Sequence, residues 1–165
     1  MIRDALRLIN RSRPVFAEDY AANLDRIRET VRASRILVVG GAGSIGSTVV
    51  RLLFELAPKA LHVIDLNENG LADLVRMLRS GAGYTTEDFR TFCFDPLSHA
   101  TERFVNEFGT YDAILNFAAV KHVRSEKDPF TLSRMLDVNV RLMERLVEWA
   151  EQSEAQTLFS VSTDK

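Results

Sequence analysis

Ser162, Thr163, Asp164 and Lys165 follow one another and bring two hydroxyls, a carboxylate and an ammonium within reach of one bound molecule. An acid and a base that close together can take and return protons on neighbouring atoms of a ligand. Lys121 and His122 are a cationic pair suited to a diphosphate or a polar substrate. The stretch ILVVGGAGSIG offers a different chemistry. Gly40, Gly43 and Gly46 recur as G-x-x-G-x-x-G, behind four apolar residues and ahead of a helical pattern that begins at Ser44 and Ile45. A glycine turn that opens a helix sets free N–H groups and the positive end of the helix dipole against an anion. Gly40, Gly43, Ser44, Ile45 and Gly46 are therefore a candidate pyrophosphate cradle. The dinucleotide pattern asks for an acid about 20 residues further on. Asp65 meets that requirement at the end of LHVID. Its carboxylate can accept from adenosine ribose hydroxyls and repels a 2′-phosphate, which favours NAD over NADP.

Asp95 ends FRTFCFD, where a short carboxylate can accept from an adenine amino group. Ala118 and Ala119 are small enough for a nucleotide to lie against their backbone. Asn139 falls on an apolar stripe of Leu132, Met135, Leu136, Met143, Leu146 and Ala150. A buried amide left unpaired costs roughly 1–3 kcal/mol, so an internal partner is expected, such as a backbone carbonyl or an ordered water. Each of these residues also has a plain structural role open to it, as a turn former, a helix cap or a small packing residue. Convergence on one edge of the fold would separate the two readings.

The elements that must position these groups alternate. Ile36–Val39, Leu61–Asp65, Phe89–Asp95, Tyr111–Ala119 and Thr157–Ser162 read as five strands. Between them, Ile45, Val49, Leu52, Leu53 and Leu56 mark one helix, and Leu71, Leu74, Val75 and Leu78 a second. Ser98 caps a third that carries Phe104, Val105 and Phe108, and a long fourth runs from Pro129 to about Gln152. Continuous apolar strands alternating with helices predict an α/β fold, a doubly wound parallel sheet covered on both faces. In such sheets ligands lie beyond the carboxyl ends of the strands, where the glycines, Asp65, Asp95, the stretch from Asn116 to His122 and Ser162 to Lys165 fall. Residues 1–34 differ in character. Ile2, Leu6 and Ile9, then Tyr20, Leu24, Ile27 and Val31, suggest two short amphipathic helices about Pro14, an extension preceding a domain of residues 35–165.

The 165 residues, 46% hydrophobic and 27% charged, suit one domain with a substantial core. A net charge of −2 gives no electrostatic ground for a nucleic acid or anionic membrane partner. The single cysteine, Cys93, is expected to be a buried strand residue in a reducing compartment. No apolar run reaches the length of a membrane span and the N-terminus lacks a signal-peptide core, so a cytoplasmic setting is expected. Exposed apolar edges would favour a homo-oligomer.

The segments GGAGSIGS, LNFAAVKHVRSEKDPF, DVNV and SVSTDK resemble extended short-chain dehydrogenases of the polysaccharide-biosynthesis type, including the UDP-N-acetylglucosamine 4,6-dehydratases. The resemblance covers the N-terminal portion of such proteins. It implies a Rossmann-type domain binding NAD or NADP and a UDP-sugar substrate. By position, Gly40, Gly43 and Gly46 would hold the diphosphate, Asp65 the ribose, and Asp95 adenine. Asn139 would match a structural asparagine, Asp164 and Lys165 would act in acid–base chemistry, and Thr163 would contact the substrate or the reacting edge. The implied reaction moves a hydride from sugar carbon 4 to the nicotinamide, removes the carbon 5 proton, expels hydroxide from carbon 6 and returns the hydride there. The Tyr-x-x-x-Lys element, or its Met-substituted form, and the sugar-nucleotide subdomain of these relatives have no counterpart in these residues. Thr48 also replaces a frequent Glu, and Phe117 a frequent Ala. Little turnover of UDP-N-acetylglucosamine by this polypeptide alone is therefore expected. A binding module without catalysis and an NAD-dependent epimerase or reductase stay open as alternatives.

Overall fold

The computed structural model describes residues 15–81, 86–120 and 127–162. In chain order these form α1 (Val15–Ala33), β1 (Arg35–Val39), α2 (Ser44–Glu55), β2 (Ala60–Asp65), α3 (Glu68–Ser80), β3 (Asp88–Cys93) and α4 (His99–Phe108). Then follow β4 (Ala113–Asn116), α5 (Pro129–Leu136), a π-helical turn (Asp137–Arg141), α6 (Leu142–Gln152) and β5 (Thr157–Ser160). The chain divides into two compact units between Thr30 and Val31, and the sheet belongs to the second. In α1, Tyr20 is exposed while Leu24 and Ile27 are half-buried. The stripe at Ile2, Leu6 and Ile9 lies outside the described residues.

The five predicted strands are present in one parallel sheet, ordered β3-β2-β1-β4-β5. β1 takes the centre because Ile36, Leu37, Val38 and Val39 are apolar toward both faces and lose nearly all contact with water. Burial on that scale is worth ~1.5–3 kcal/mol per side chain. Leu37 and Val39 face a core completed by Phe104 and Val105 of α4 and Leu142, Leu146 and Trp149 of α6. Ile36 and Val38 face the opposite core, with Val50 and Phe54 of α2 and Leu71, Leu74 and Leu78 of α3. The sheet is thus wound on both sides. Its strand order reverses between β1 and β4, which opens a crevice at their carboxyl ends. At the other edge, Asp112 accepts the Arg35 N–H through Oδ2 (2.7 Å) and the N–H groups of Gln156 and Thr157 through its carbonyl, joining β1, β4 and β5.

Three expectations about burial change in the structure. The buried face of α2 is Gly46, Val50 and Phe54, whereas Ile45 and Leu52 are exposed. Gly46 must lie against the Gly40 carbonyl, and that contact turns the helix about one residue from the phase the large residues suggested. Cys93 is exposed because β3 is an edge strand, with its Sγ 3.5 Å from the Leu66 carbonyl. The long helix from Pro129 to Gln152 is present, but a π turn at Asp137–Arg141 divides it into α5 and α6. A π turn adds a residue to the repeat and shifts the phase beyond it. Leu142, Leu146 and Trp149 therefore face the core, while Leu132, Leu136 and Val140 are exposed.

Candidate functional site

The site begins where β1 ends. The Gly40 N–H donates to the Ile64 carbonyl at 2.8 Å, and the residue adopts φ +77°. A Cβ at Gly40 would run into the backbone of Phe117 and Ala118, which leave β4 alongside it. Glycine is therefore needed here twice, for its dihedral and for the close approach of two chains across the crevice. A Cβ at Gly46 would strike the Gly40 carbonyl. Gly43 differs: a Cβ there would touch only the Gly40 carbonyl, at an ordinary 3.5 Å. The fold leaves open the space in front of Gly43, and that space belongs to a cavity. Gly43 is also the N-cap of α2 and offers no side chain to its first turn. The leading amides, Ser44, Ile45 and Gly46 among them, have no acceptor within the helix.

Asp65 ends β2 beside this turn. Its Oδ2 accepts the Ala42 N–H at 2.8 Å and its Oδ1 the Asn67 N–H at 2.9 Å. Those bonds fix the carboxylate and still leave a lone pair on each oxygen for a ligand. Asn67 turns back to accept the Gly70 N–H at 3.0 Å and caps α3. Asp95, just beyond β3, accepts the Leu97 N–H through Oδ1 at 3.0 Å and meets Arg134 of α5 through Oδ2 at 3.1 Å. A cavity of about 320 Å³ joins these pieces, with Gly40, Gly43, Asp65, Asp95, Ala118 and Arg134 in its wall.

A second cavity, of about 260 Å³, continues along the sheet edge past Asn116, Asn139, Met143, Ser160 and Ser162. Ala118, Ala119 and Val138 line both cavities. The buried Asn116 donates to Ser160 Oγ at 3.0 Å and accepts the Ala118 N–H at 3.1 Å, so it ties β4 to β5 and shapes the turn at Ala118. Asn139 is exposed, where the stripe had placed it inside. It still has the expected backbone partner, since its Oδ1 accepts the Val120 N–H at 3.0 Å and its Nδ2 donates to the Val120 carbonyl at 2.8 Å. The π turn carries Asn139 to the segment leaving β4, and the reciprocal pair anchors that segment. Thr163, Asp164, Lys165, Lys121 and His122 lie outside the described residues.

The structure thus brings Gly40, Gly43, Asp65, Asp95, Ala118, Ala119 and Asn139 to one trough along the carboxyl edge, with Ser44, Ile45 and Gly46 at the helix start beside it. Sequence reasoning overlooked Arg134 and the linkage from Asn116 to Ser160. A lone charge in the otherwise uncharged FTLSRML was the available signal for Arg134.

A profile of the family described as "Polysaccharide biosynthesis protein" matches residues 36–165. A protein of Methanocaldococcus jannaschii, described as an uncharacterized membrane protein, is 34% identical over 131 residues, which are 79% of this chain and 36% of that one. No helix among the described residues of this chain is long and apolar enough to cross a membrane. Among solved structures, the UDP-Glc/GlcNAc 4-epimerase of Campylobacter jejuni superposes with a TM-score of 0.64 at 26% identity, covering 80% of this chain and 38% of that chain. A UDP-glucose-4-epimerase of Stenotrophomonas maltophila, solved with bound NAD and formylated UDP-arabinopyranose, gives 0.61 at 26% identity, with 79% and 37% covered. The chain therefore spans little more than a third of the length of each.

Proposed function

This chain belongs to the polysaccharide biosynthesis protein family, and from that premise we propose that it is the nicotinamide-dinucleotide-binding part of an enzyme that remodels a UDP-sugar. The carrying observation is the continuous trough from Asp65 and Asp95, past the glycine turn, to Asn116 and Ser162. Its two cavities together fall in the usual size range of cofactor sites. The open face of Gly43 and the half-used carboxylate of Asp65 suit a diphosphate and a ribose. In this reading Gly40 sets the turn, Gly43 leaves room for the diphosphate, and the amides of Ser44, Ile45 and Gly46 face it. Asp65 accepts from the ribose hydroxyls and favours NAD over NADP. Asp95 faces adenine, Ala118 and Ala119 let the nucleotide approach, and Asn139 holds the adjoining segment in place.

The nicotinamide, when bound, supplies reversible hydride exchange with the sugar. Its substrate would be a UDP-N-acetylhexosamine and the reaction a 4,6-dehydration, with Thr163, Asp164 and Lys165 at the sugar and Lys121 and His122 binding its polar groups. Residues 1–34 form the extension and 35–165 the dinucleotide domain. A cytoplasmic homo-oligomer belongs to the same proposal, and exposed Leu132, Leu136, Val140 and Val147 support the association. A 4-epimerase is the second reading, favoured by the two 4-epimerases at 26% identity.

Calorimetric titration with NAD and NADP tests the common core of both readings. Saturable binding that favours NAD is expected, and well-folded protein that binds neither at millimolar concentration would end the proposal. In an active enzyme that contains this chain, mass spectrometry of the product formed from UDP-N-acetylhexosamine separates the two reactions. Dehydration removes one water from the sugar, whereas epimerisation leaves its mass unchanged.

A further inference from the structure

Helix α5 buries none of its eight residues, and Phe130, Leu132 and Leu136 stand exposed. Arg134 reaches from this helix to Asp95, just beyond the end of β3. Arg134 is in the wall of the first cavity, and its guanidinium Nη2 lies 3.1 Å from Asp95 Oδ2. The other oxygen of Asp95 is held by the Leu97 N–H at 3.0 Å. The carboxylate is thus fixed from both sides, and a carboxylate and a guanidinium stand side by side where a ligand would rest. The carboxylate retains lone pairs that accept, and the guanidinium retains N–H groups that donate. One edge of adenine carries the complementary order, an exocyclic N6 amino donor next to the N7 acceptor. A purine with a carbonyl at that position presents two acceptors instead.

We propose that the Asp95–Arg134 pair reads the purine of the bound dinucleotide, and that Arg134 is a specificity-determining residue selecting adenine over a 6-oxo purine. This rests on the dinucleotide reading given above. Arg134 has two parts in it: it donates to the ring nitrogen, and it holds Asp95 in the orientation that accepts from the amino group. A 6-oxo base would turn its carbonyl toward the Asp95 carboxylate, acceptor against acceptor. If the ion pair served only to fasten α5, its loss would weaken both bases equally.

The test is calorimetric titration of the full 165-residue chain with NAD and with nicotinamide hypoxanthine dinucleotide, which differ at that exocyclic position. The native chain should prefer NAD by ~10-fold or more, the scale of a paired contact to a base edge, and Arg134→Ala should reduce the preference to ~2-fold while weakening NAD itself. Arg134→Lys keeps a charge near Asp95 without the planar fork and should fall between them. Circular dichroism checks the fold, and if Arg134→Ala does not fold, Arg134→Lys and Arg134→Gln carry the comparison. An unchanged preference in folded variants overturns the role of Arg134 while leaving the dinucleotide site intact. A native chain that binds neither dinucleotide overturns both.

Discussion

Gly40 and Gly43 stand three residues apart in one turn, yet substitution should separate them cleanly. Alanine at Gly40 would carry a positive φ, unfavourable by ~1–2 kcal/mol, and would press its methyl on the backbone of Phe117 and Ala118. Gly40→Ala should therefore lower the unfolding free energy by at least ~2 kcal/mol in a denaturant titration. Serine is a better N-cap than glycine, so Gly43→Ser should leave stability within ~0.5 kcal/mol of native or raise it. If the proposed cradle holds the diphosphate, the same change should weaken NAD by ~10-fold or more in calorimetry, because its hydroxymethyl would occupy the open space in front of Gly43. Asp65→Asn keeps one acceptor oxygen where two are used, toward Ala42 and Asn67. It should cost about 1 kcal/mol of stability and shift the ratio of NAD to NADP affinity toward NADP, since the charge opposing a 2′-phosphate is gone. The glycines and Asp65 were legible because their spacing is local. Arg134 was not, because its partner is Asp95, 39 positions earlier in the chain and on another element.

The change of repeat between α5 and α6 shows what helical periodicity misses. The apolar residues from Leu132 to Ala150 fit one stripe only if the helix keeps one repeat, and the π turn at Asp137–Arg141 changes it. The turn aims Asn139 at Val120, a contact that an unbroken helix with Asn139 on its buried face would not make. Asn139→Ala should remove both hydrogen bonds and destabilise the chain by roughly 1–2 kcal/mol. Hydrogen exchange at the Val120 amide should accelerate by more than that global loss explains, since the anchored segment opens locally. Uniform acceleration across the sheet would argue against a local anchor. In α3, by contrast, Leu71, Leu74 and Leu78 are buried as their spacing predicts, because nothing interrupts that helix.

At the scale of the whole molecule, the polar groups divide between the two edges of the sheet. The carboxyl edge holds the trough, while beneath it His62 is fully enclosed among Phe92, Phe104, Phe108 and Tyr111. Its Nδ1 lies 2.8 Å from the Tyr111 hydroxyl, and its Nε2 faces Asp88 Oδ2 at 3.3 Å without hydrogen-bond geometry. Burial lowers the affinity of the ring for a proton below its ordinary value of 6.5, with Arg35 and Arg90 adding to the effect and Asp88 opposing it. Burial also raises the Tyr111 hydroxyl, so it stays protonated. Well above pH 6.5 the ring is neutral in the folded and unfolded chains alike. As pH falls toward and through that value the unfolded chain takes up the proton more readily, and stability declines. Asp88 is held below its ordinary range by Arg90 and His62 despite its own burial, so its contribution is lost at still lower pH. Thermal unfolding should therefore shift to lower temperature between about pH 7.5 and pH 5. His62→Gln, with no titrating ring, should flatten that slope. A slope that survives the substitution would assign it to other groups.

The sequence by itself determined the alternation of strands and helices, the parallel sheet, the glycine turn and the acid after β2. Each depends on spacing within one short segment, and strand and helix periods are local properties of the chain. Only the tertiary structure decided which face of α2 is buried, where the helix after Pro129 changes its repeat, and that Asp95 meets Arg134 and Asn139 meets Val120. Those outcomes depend on which surfaces must fit against each other, such as Gly46 on the Gly40 carbonyl, and contacts between distant segments leave no period in the sequence.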